Sequence, residues 1–221
     1  MNAPLPPYTL IRAKRRTLSL AVQPDGSVLV RAPRLLPRTA IDRFVRDRAD
    51  WIEKQRAIEA LRPAHPFDTG DTLPFCGEAL SLVCVPAARC VRRAGSVLTV
   101  PAGDREQVRA RVIGWYRAQA RAVFAARVRA LAPLAGVTPG PVRVSSAKTR
   151  WGSCGNGDSV NLNWRLLLAP PEILDYVAVH ELCHIGQRDH SGAFWARVAA
   201  IVPDWKQKRE WLKRHRAELE L

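Results

Sequence analysis

An eleven-residue segment near the end of the chain, HELCHIGQRDH, constrains the fold more than any other part of the sequence. It places His180 and His184 four residues apart, and residues at that spacing lie on one face of an α-helix, where two imidazoles can reach one ion. Glu181 lies about 100° further round the helix, beside the ligands rather than among them. Gly186 tolerates the left-handed conformation that ends many helices. The segment therefore predicts a helix that stops and a chain that turns back to bring His190 to the same ion.

Three imidazoles and one carboxylate are the donor set of a catalytic metal site. Catalytic zinc is held by three protein ligands and keeps a fourth position open, whereas structural zinc is closed by four ligands that usually include cysteines. The HExxH pattern pairs two ligands with a general base. We therefore predict that His180, His184 and His190 bind Zn²⁺ and that Glu181 takes a proton from the attacking water. Imidazole also suits other transition metals, so zinc is inferred from the ligand type alone.

Charge and cysteine usage narrow the class of protein. The net charge is +15 over 221 residues, with arginines spread along the chain. Such a charge attracts polyanions non-specifically, so DNA association with a structural metal stays open beside the alternative that the arginines only cover solvated faces. The five cysteines form no CxxC pair, which argues against a disulfide framework and a zinc ribbon. We find no apolar run long enough to span a membrane and no signal-peptide pattern, and we expect a cytoplasmic protein with no membrane partner.

The first half of the chain has the pattern of short strands. Apolar residues alternate on both sides of Asp25-Gly26, which predicts a β-hairpin. One helix is predicted from an N-cap at Thr39 to about Leu61, and further antiparallel strands are expected between residues 67 and 101. Residues 1–103 are therefore expected to form an antiparallel β-rich region covered by one helix.

The character of the sequence changes near residue 104. Apolar residues at helical spacing predict a long helix to about Ala132, whose aromatic residues belong to a core. Residues from Ser159 to Trp164 alternate as a strand, and the HExxH helix follows a Pro170-Pro171 pair. The expected fold class is α+β, with a second domain over residues 104–221.

Several motifs together carry a resemblance to a known family. They are Lys148-Thr149-Arg150-Trp151-Gly152-Ser153-Cys154, Asn161-Leu162-Asn163, the segment from Tyr176 to His184, His190-Ser191 and Phe194-Trp195. In these motifs the chain resembles the YgjP-like family of metal-dependent hydrolases, which is related to SprT-type zinc metalloproteases. The resemblance implies a zincin-like C-terminal domain in which His180, His184 and His190 hold zinc and Glu181 is the catalytic carboxylate.

The resemblance does not settle the substrate. Members of the family are commonly labelled metallopeptidases, which implies a soluble enzyme acting on a peptide or protein. A bacterial member also carries the label of a nucleoside triphosphate pyrophosphatase, which implies a nucleoside triphosphate as substrate of the same metal site. SprT-type relatives cleave proteins on DNA and often carry a Cys-rich zinc ribbon, which this sequence lacks. The leading hypothesis is a zinc metallopeptidase.

Four polar residues are candidates for substrate binding. Lys148 and Arg150 bring two cations close to the motif, and either can stabilise an oxyanion, clamp a phosphate or remain a surface residue. In zincin-like folds an edge strand such as Ser159 to Trp164 can pair with an extended substrate. Asn161 and Asn163 would then either face the cleft or fix the sheet.

Two aromatic residues follow the third histidine. We expect Phe194 and Trp195 to pack beneath His190 and to hold its loop, since side chains behind metal ligands fix their orientation.

Overall fold

The computed structural model describes residues 4–23, 25–60 and 65–221. The chain divides into two compact units, Met1–Pro63 and Ala64–Leu221, each with helices and sheets, which confirms the α+β class. This division falls before the strands of residues 72–101, so it does not coincide with the boundary predicted after residue 103. Among the described residues, no helix combines the length and apolar character needed to cross a membrane.

The first unit contains a three-stranded sheet and two helices. Its elements are β1 (Thr9–Ala13), β2 (Ser19–Val22), β3 (Val28–Pro33), α1 (Arg38–Arg46) and α2 (Ala49–Ala60). β2 and β3 form the predicted hairpin, with Gly26 at a φ of 78° in its turn. β1 pairs parallel to β3, so the expectation of a purely antiparallel region is wrong here. Alternating residues of β3 pack on Ile41, Val45 and Ile52 of the helices.

The single helix predicted from Thr39 is two helices. The N–H of Arg48 bonds to the carbonyl of Val45, three residues back, and its guanidinium donates to the carbonyl of Phe44. These bonds replace the regular pattern and break the helix between α1 and α2. The predicted end at about Leu61 lies outside the described residues.

The second unit begins with a four-stranded sheet in the order β4-β5-β7-β6. Its strands are β4 (Thr72–Phe75), β5 (Glu78–Val85), β6 (Arg92–Ala94) and β7 (Val97–Pro101). β5 and β7 are parallel, which again corrects the antiparallel expectation. The reason is that β6 runs back on the far side of β7 and turns at Gly95, which has a φ of 57°. Alternation in sequence specifies which face a residue occupies but not the direction of the strand.

The long helix predicted in this unit is α3 (Arg105–Ala135). Asp104 caps it by accepting from the N–H of Gln107 at 2.8 Å, and Gly136 ends it in the left-handed conformation. Its aromatic residues are core residues, as predicted. Tyr116 is fully buried and donates its hydroxyl to the carbonyl of Pro74 at 2.5 Å, which joins α3 to β4.

A second sheet and three helices complete the unit and carry the motifs noted above. The elements are β8 (Val142–Ser145), β9 (Gly152–Cys154), β10 (Val160–Asn163), α4 (Pro171–Gly186), α5 (Gly192–Ile201) and α6 (Trp205–Arg214). The sheet order is β8-β10-β9, so the strand predicted from Ser159 to Trp164 lies in the centre. The expectation that it is an edge strand is therefore wrong, because β8 and β9 occupy its two sides. The edge strand that packs on α4 is β9.

Candidate metal centre

Helix α4 carries the HExxH residues through the core of the second unit. Most of its apolar side chains are buried, including Ile173, Leu174, Val179 and Leu182. Cys183 is fully buried between the two histidines. Packing on several sides fixes the helix, so the side chains that it presents to one cleft are held in place.

The chain reverses after α4 by a different means from the one that the sequence predicted. Gly186 is the last residue of α4 and does not have a positive φ. A Cβ at this position would overlap the guanidinium of Arg197, which donates to the carbonyl of Ala135 at 3.1 Å. Glycine at this position therefore leaves room for the end of the Arg197 side chain and does not form a left-handed cap.

Polar side chains hold the short turn that follows. The Gln187 amide donates to the carboxylate of Asp189 at 2.6 Å and to the hydroxyl of Ser191 at 3.3 Å. Ser191 caps α5 by accepting from the N–H of Phe194. This bonded turn brings His190 back over α4.

The three histidines converge as the spacing predicted. Nε2 of His190 lies 3.2 Å from Nε2 of His180 and 3.2 Å from Nε2 of His184. Two nitrogen ligands of a tetrahedral zinc lie about 3.3 Å apart when each zinc–nitrogen bond is about 2.0–2.1 Å. The three imidazoles therefore fit a single ion of this kind.

Protonation of the histidines also fits metal binding. Nδ1 of His184 lies 3.0 Å from the carbonyl oxygen of Gln187, which only accepts, so Nδ1 carries the proton and the Nε2 lone pair is free. Burial, with the neighbouring His184 and His190, lowers the pKa of His180 to about 3, and burial also lowers the pKa of His184. Nδ1 of His180 is buried and has no hydrogen-bond partner within the described part of the chain. Neutral imidazoles are the form that binds a metal.

Aromatic rings pack behind these imidazoles. Phe194 is fully buried and stacks on His184 with 4.3 Å between ring centroids, and Trp195 lies 5.7 Å from His190. Trp195 in turn stacks on Trp205 at 4.0 Å. Phe194 and Trp195 therefore lie against the imidazoles, and this aromatic packing extends to α6.

Glu181 lies beside the histidines in a buried position. It is 5% exposed, and burial raises its pKa to about 7, although a hydrogen bond from the backbone of Cys154 and the charge of Arg150 act in the opposite direction. A Cβ on Gly152 would lie 2.5 Å from Oε1 of Glu181, so only glycine leaves room for the carboxylate. The sequence did not predict this role of Gly152, although the residue lies within the Lys148-to-Cys154 motif.

The histidines and Glu181 open into a cleft of about 300 Å³. Its other lining residues are Arg150, Gly152, Ser153, Cys154 and Arg188. Of these residues, only Arg150 had a predicted role. Arg188 donates to the sulfur of Cys154 at 3.3 Å and pairs with the carboxylate of Asp158 at 2.5 Å. The rim of the cleft is thus tied together by side chains from two segments far apart in sequence.

The four candidate substrate-binding residues do not all lie in the cleft. Arg150 lines both the cleft and a small neighbouring recess, whereas Lys148 lines the recess alone. The Asn161 amide donates to the carbonyl of Ser153 at 3.0 Å and so joins β10 to β9. The Asn163 amide donates to the carbonyl of Arg150 at 3.1 Å. Of the two alternatives left open for the asparagines, these bonds favour fixing the sheet and its loop.

Comparison with known proteins identifies the family of the chain. A family model described as YgjP-like, metallopeptidase domain, matches residues 16–215. No curated protein is detectably similar in sequence. One similar solved structure is the metallopeptidase zymogen of Pyrococcus abyssi abylysin, which is 20% identical over 43% of this chain and 97% of that chain, with a TM-score of 0.39.

Proposed function

Because the chain belongs to the YgjP-like metallopeptidase family, we propose that it is a zinc-dependent peptidase with its catalytic centre at the three-histidine cluster. In this proposal His180, His184 and His190 hold the metal, and Glu181 is the general base. The observation that carries the proposal is the convergence of three Nε2 atoms, 3.2 Å apart in two pairs, beside one buried carboxylate.

The metal and the carboxylate divide the chemistry between them. When bound, zinc supplies a Lewis acid that lowers the pKa of water to about 7 and polarises a carbonyl. Glu181 takes the proton of the attacking water and returns it to the leaving amine. The close approach of Gly152 restricts where the carboxylate can lie, which keeps it directed at the reacting atoms.

The strand beside the cleft supports a peptide substrate. β9 is the edge of its sheet and contributes Gly152, Ser153 and Cys154 to the cleft. An extended peptide can add to such an edge through main-chain hydrogen bonds. We therefore assign to β9 the substrate-pairing role that the sequence suggested for the neighbouring strand, β10.

A nucleoside triphosphate pyrophosphatase is a second candidate on the same site. The observation in its favour is the guanidinium of Arg150 in the cleft. Lys148 lines the neighbouring recess, and the charge of Arg188 is paired with Asp158. A triphosphate would therefore meet fewer free cations than the sequence suggested, which favours a peptide.

A basic DNA-associated protein with a structural metal is a third candidate. Structural zinc is normally closed by four protein ligands. Among the described residues, the candidate cluster offers His180, His184 and His190, and no cysteine or carboxylate joins them. Three ligands leave a position open, as catalysis requires.

The experiment that tests the proposal compares Glu181→Gln with the parent protein on casein and on each nucleoside triphosphate, with and without a chelator. The variant is expected to keep one metal per chain while hydrolysis of casein falls by about 10²–10⁴-fold, the range for loss of a general base. Glu172→Gln is a matched control, because Glu172 lies on the same helix and is exposed. Undiminished turnover in Glu181→Gln, or chelator-sensitive hydrolysis of triphosphates alone, would contradict the proposal.

A further inference from the structure

The cleft contains one arginine side chain that has no polar partner among the described residues. Arg150 lies between β8 and β9, is exposed and lines the cleft. Its guanidinium makes no hydrogen bond or ion pair with the described residues. Arg188, the other arginine of the cleft, is paired with Asp158. Of the two, only Arg150 is available to a ligand.

The backbone beneath Arg150 is held in place. Asn163 is 2% exposed, and its amide donates to the carbonyl of Ala147 at 2.7 Å and to that of Arg150 at 3.1 Å. Arg216 donates to the carbonyl of Lys148, in the same loop. A loop fixed at three carbonyls presents its free side chain from a defined position, so little ordering is lost when a ligand binds.

Charge favours an anionic ligand at this position. Among the described residues that line the cleft, which include Arg150, Glu181 is the only carboxylate. Arg150 is therefore near the reacting atoms, and a bound divalent ion would add further positive charge. Cationic substrate side chains would be repelled there, and anionic ones attracted.

We propose that Arg150 selects peptide substrates with a carboxylate close to the cleaved bond. The guanidinium has the planar fork that binds a carboxylate through two parallel hydrogen bonds. The carboxylate can belong to an aspartate or glutamate side chain or to the C-terminus of a short peptide. This inference rests on the proposed peptidase function and adds a substrate class to it.

The first test uses hydrolysis. Cleavage sites in denatured casein are mapped by mass spectrometry, and quenched fluorescent peptides are built on one site in three forms. The first form has glutamate beside the cleaved bond and an amidated C-terminus. The second has glutamine beside the cleaved bond and an amidated C-terminus, and the third has the same glutamine with a free C-terminus. A charge-assisted hydrogen bond changes kcat/KM by about tenfold or more. We expect the parent protein to favour one carboxylate form by that ratio, and the form favoured identifies the source of the carboxylate.

Substitutions then attribute the preference to Arg150. In Arg150→Gln the ratio is expected to fall to about one, and in Arg150→Glu a lysine peptide should become the better substrate. Arg121→Gln is the matched control, since Arg121 is an exposed arginine of α3 and does not line the cleft. It should keep the parent ratio. An unchanged ratio in Arg150→Gln would overturn the inference.

The second test uses binding and does not depend on turnover. The metal-loaded Glu181→Gln protein is titrated with peptides in the same three forms, built on one casein sequence chosen without reference to cleavage and labelled for fluorescence anisotropy, with and without Arg150→Gln. A carboxylate peptide should bind about tenfold more tightly only when Arg150 is present. Equal Kd values would overturn the inference even if casein is cleaved. An Arg150-dependent difference without any hydrolysis would refute the peptidase and leave only the binding of peptide carboxylates by Arg150. Tighter Arg150-dependent binding of tripolyphosphate than of every peptide would overturn the assignment to peptide carboxylates.

Discussion

Replacing Gly152 with alanine should disable the enzyme without touching a ligand or the base. The added Cβ would lie 2.5 Å from Oε1, 2.7 Å from Cγ and 2.8 Å from Cδ of Glu181. Ordinary van der Waals contacts begin near 3.4 Å, so the Glu181 side chain has to move by about 1 Å. The backbone of β9 is paired with β10 and yields less easily than a side chain.

The size of the effect follows from that displacement. A 1 Å misplacement at a catalytic centre can cost about 10²-fold in rate. We therefore expect kcat/KM on casein to fall by about 10²-fold in Gly152→Ala, while one metal per chain is retained. Gly114→Ala is the control, because a Cβ at Gly114 of α3 meets nothing within 4 Å. It should keep full activity and gain about 0.5–1 kcal/mol in the free energy of unfolding.

Three measurements on Gly152→Ala decide the outcome: metal content by mass spectrometry, kcat/KM on casein, and the urea midpoint of unfolding. Overpacking costs about 1–3 kcal/mol, so the variant should still fold. Full activity in a folded, metal-loaded Gly152→Ala protein would refute the view that this glycine holds Glu181 in its working position.

Three further predictions concern a proposed metal ligand, the ring packed behind the ligands and an ion pair between two helices. His190→Ala should lose most of the bound metal, measured as zinc per chain, and unchanged stoichiometry would remove His190 from the ligand set. Phe194→Ala should lower the free energy of unfolding by about 3–5 kcal/mol, because the ring is fully buried and stacked on His184. A loss below about 1 kcal/mol in urea unfolding would contradict that packing. Arg127→Ala removes a bidentate ion pair with Asp175 that joins α3 to α4, but the arginine is 42% exposed, so the expected loss is at most about 1 kcal/mol. A loss of more than about 2 kcal/mol in the free energy of unfolding would contradict this, because it would require an ion pair shielded from solvent.

The convergence of the three histidines could be predicted because its geometry is local. His180 and His184 are brought together by the period of one helix, and His190 returns across a turn of a few residues. The aromatic residues Phe194 and Trp195 follow within the next helix, so their packing behind the ligands could also be anticipated.

The remaining features depend on contacts that the sequence pattern does not encode. Strand direction in β5 and β7 is set by the path of β6, and the central position of β10 is set by β8 and β9. The need for Gly152 arises only when β9 packs on α4, a contact between segments about thirty residues apart. The break between α1 and α2 likewise lies where the N–H of Arg48 bonds to the carbonyl of Val45, three residues back, which hydrophobic periodicity does not reveal.

The most direct test of the central claim is an anomalous-scattering crystal structure of the zinc-loaded protein. We predict one ion at about 2.0–2.2 Å from the Nε2 atoms of His180, His184 and His190, with Glu181 outside the first coordination sphere and the fourth position open to solvent or inhibitor. An ion closed by a fourth protein ligand, or bound away from these histidines, would contradict the assignment of a catalytic metal centre.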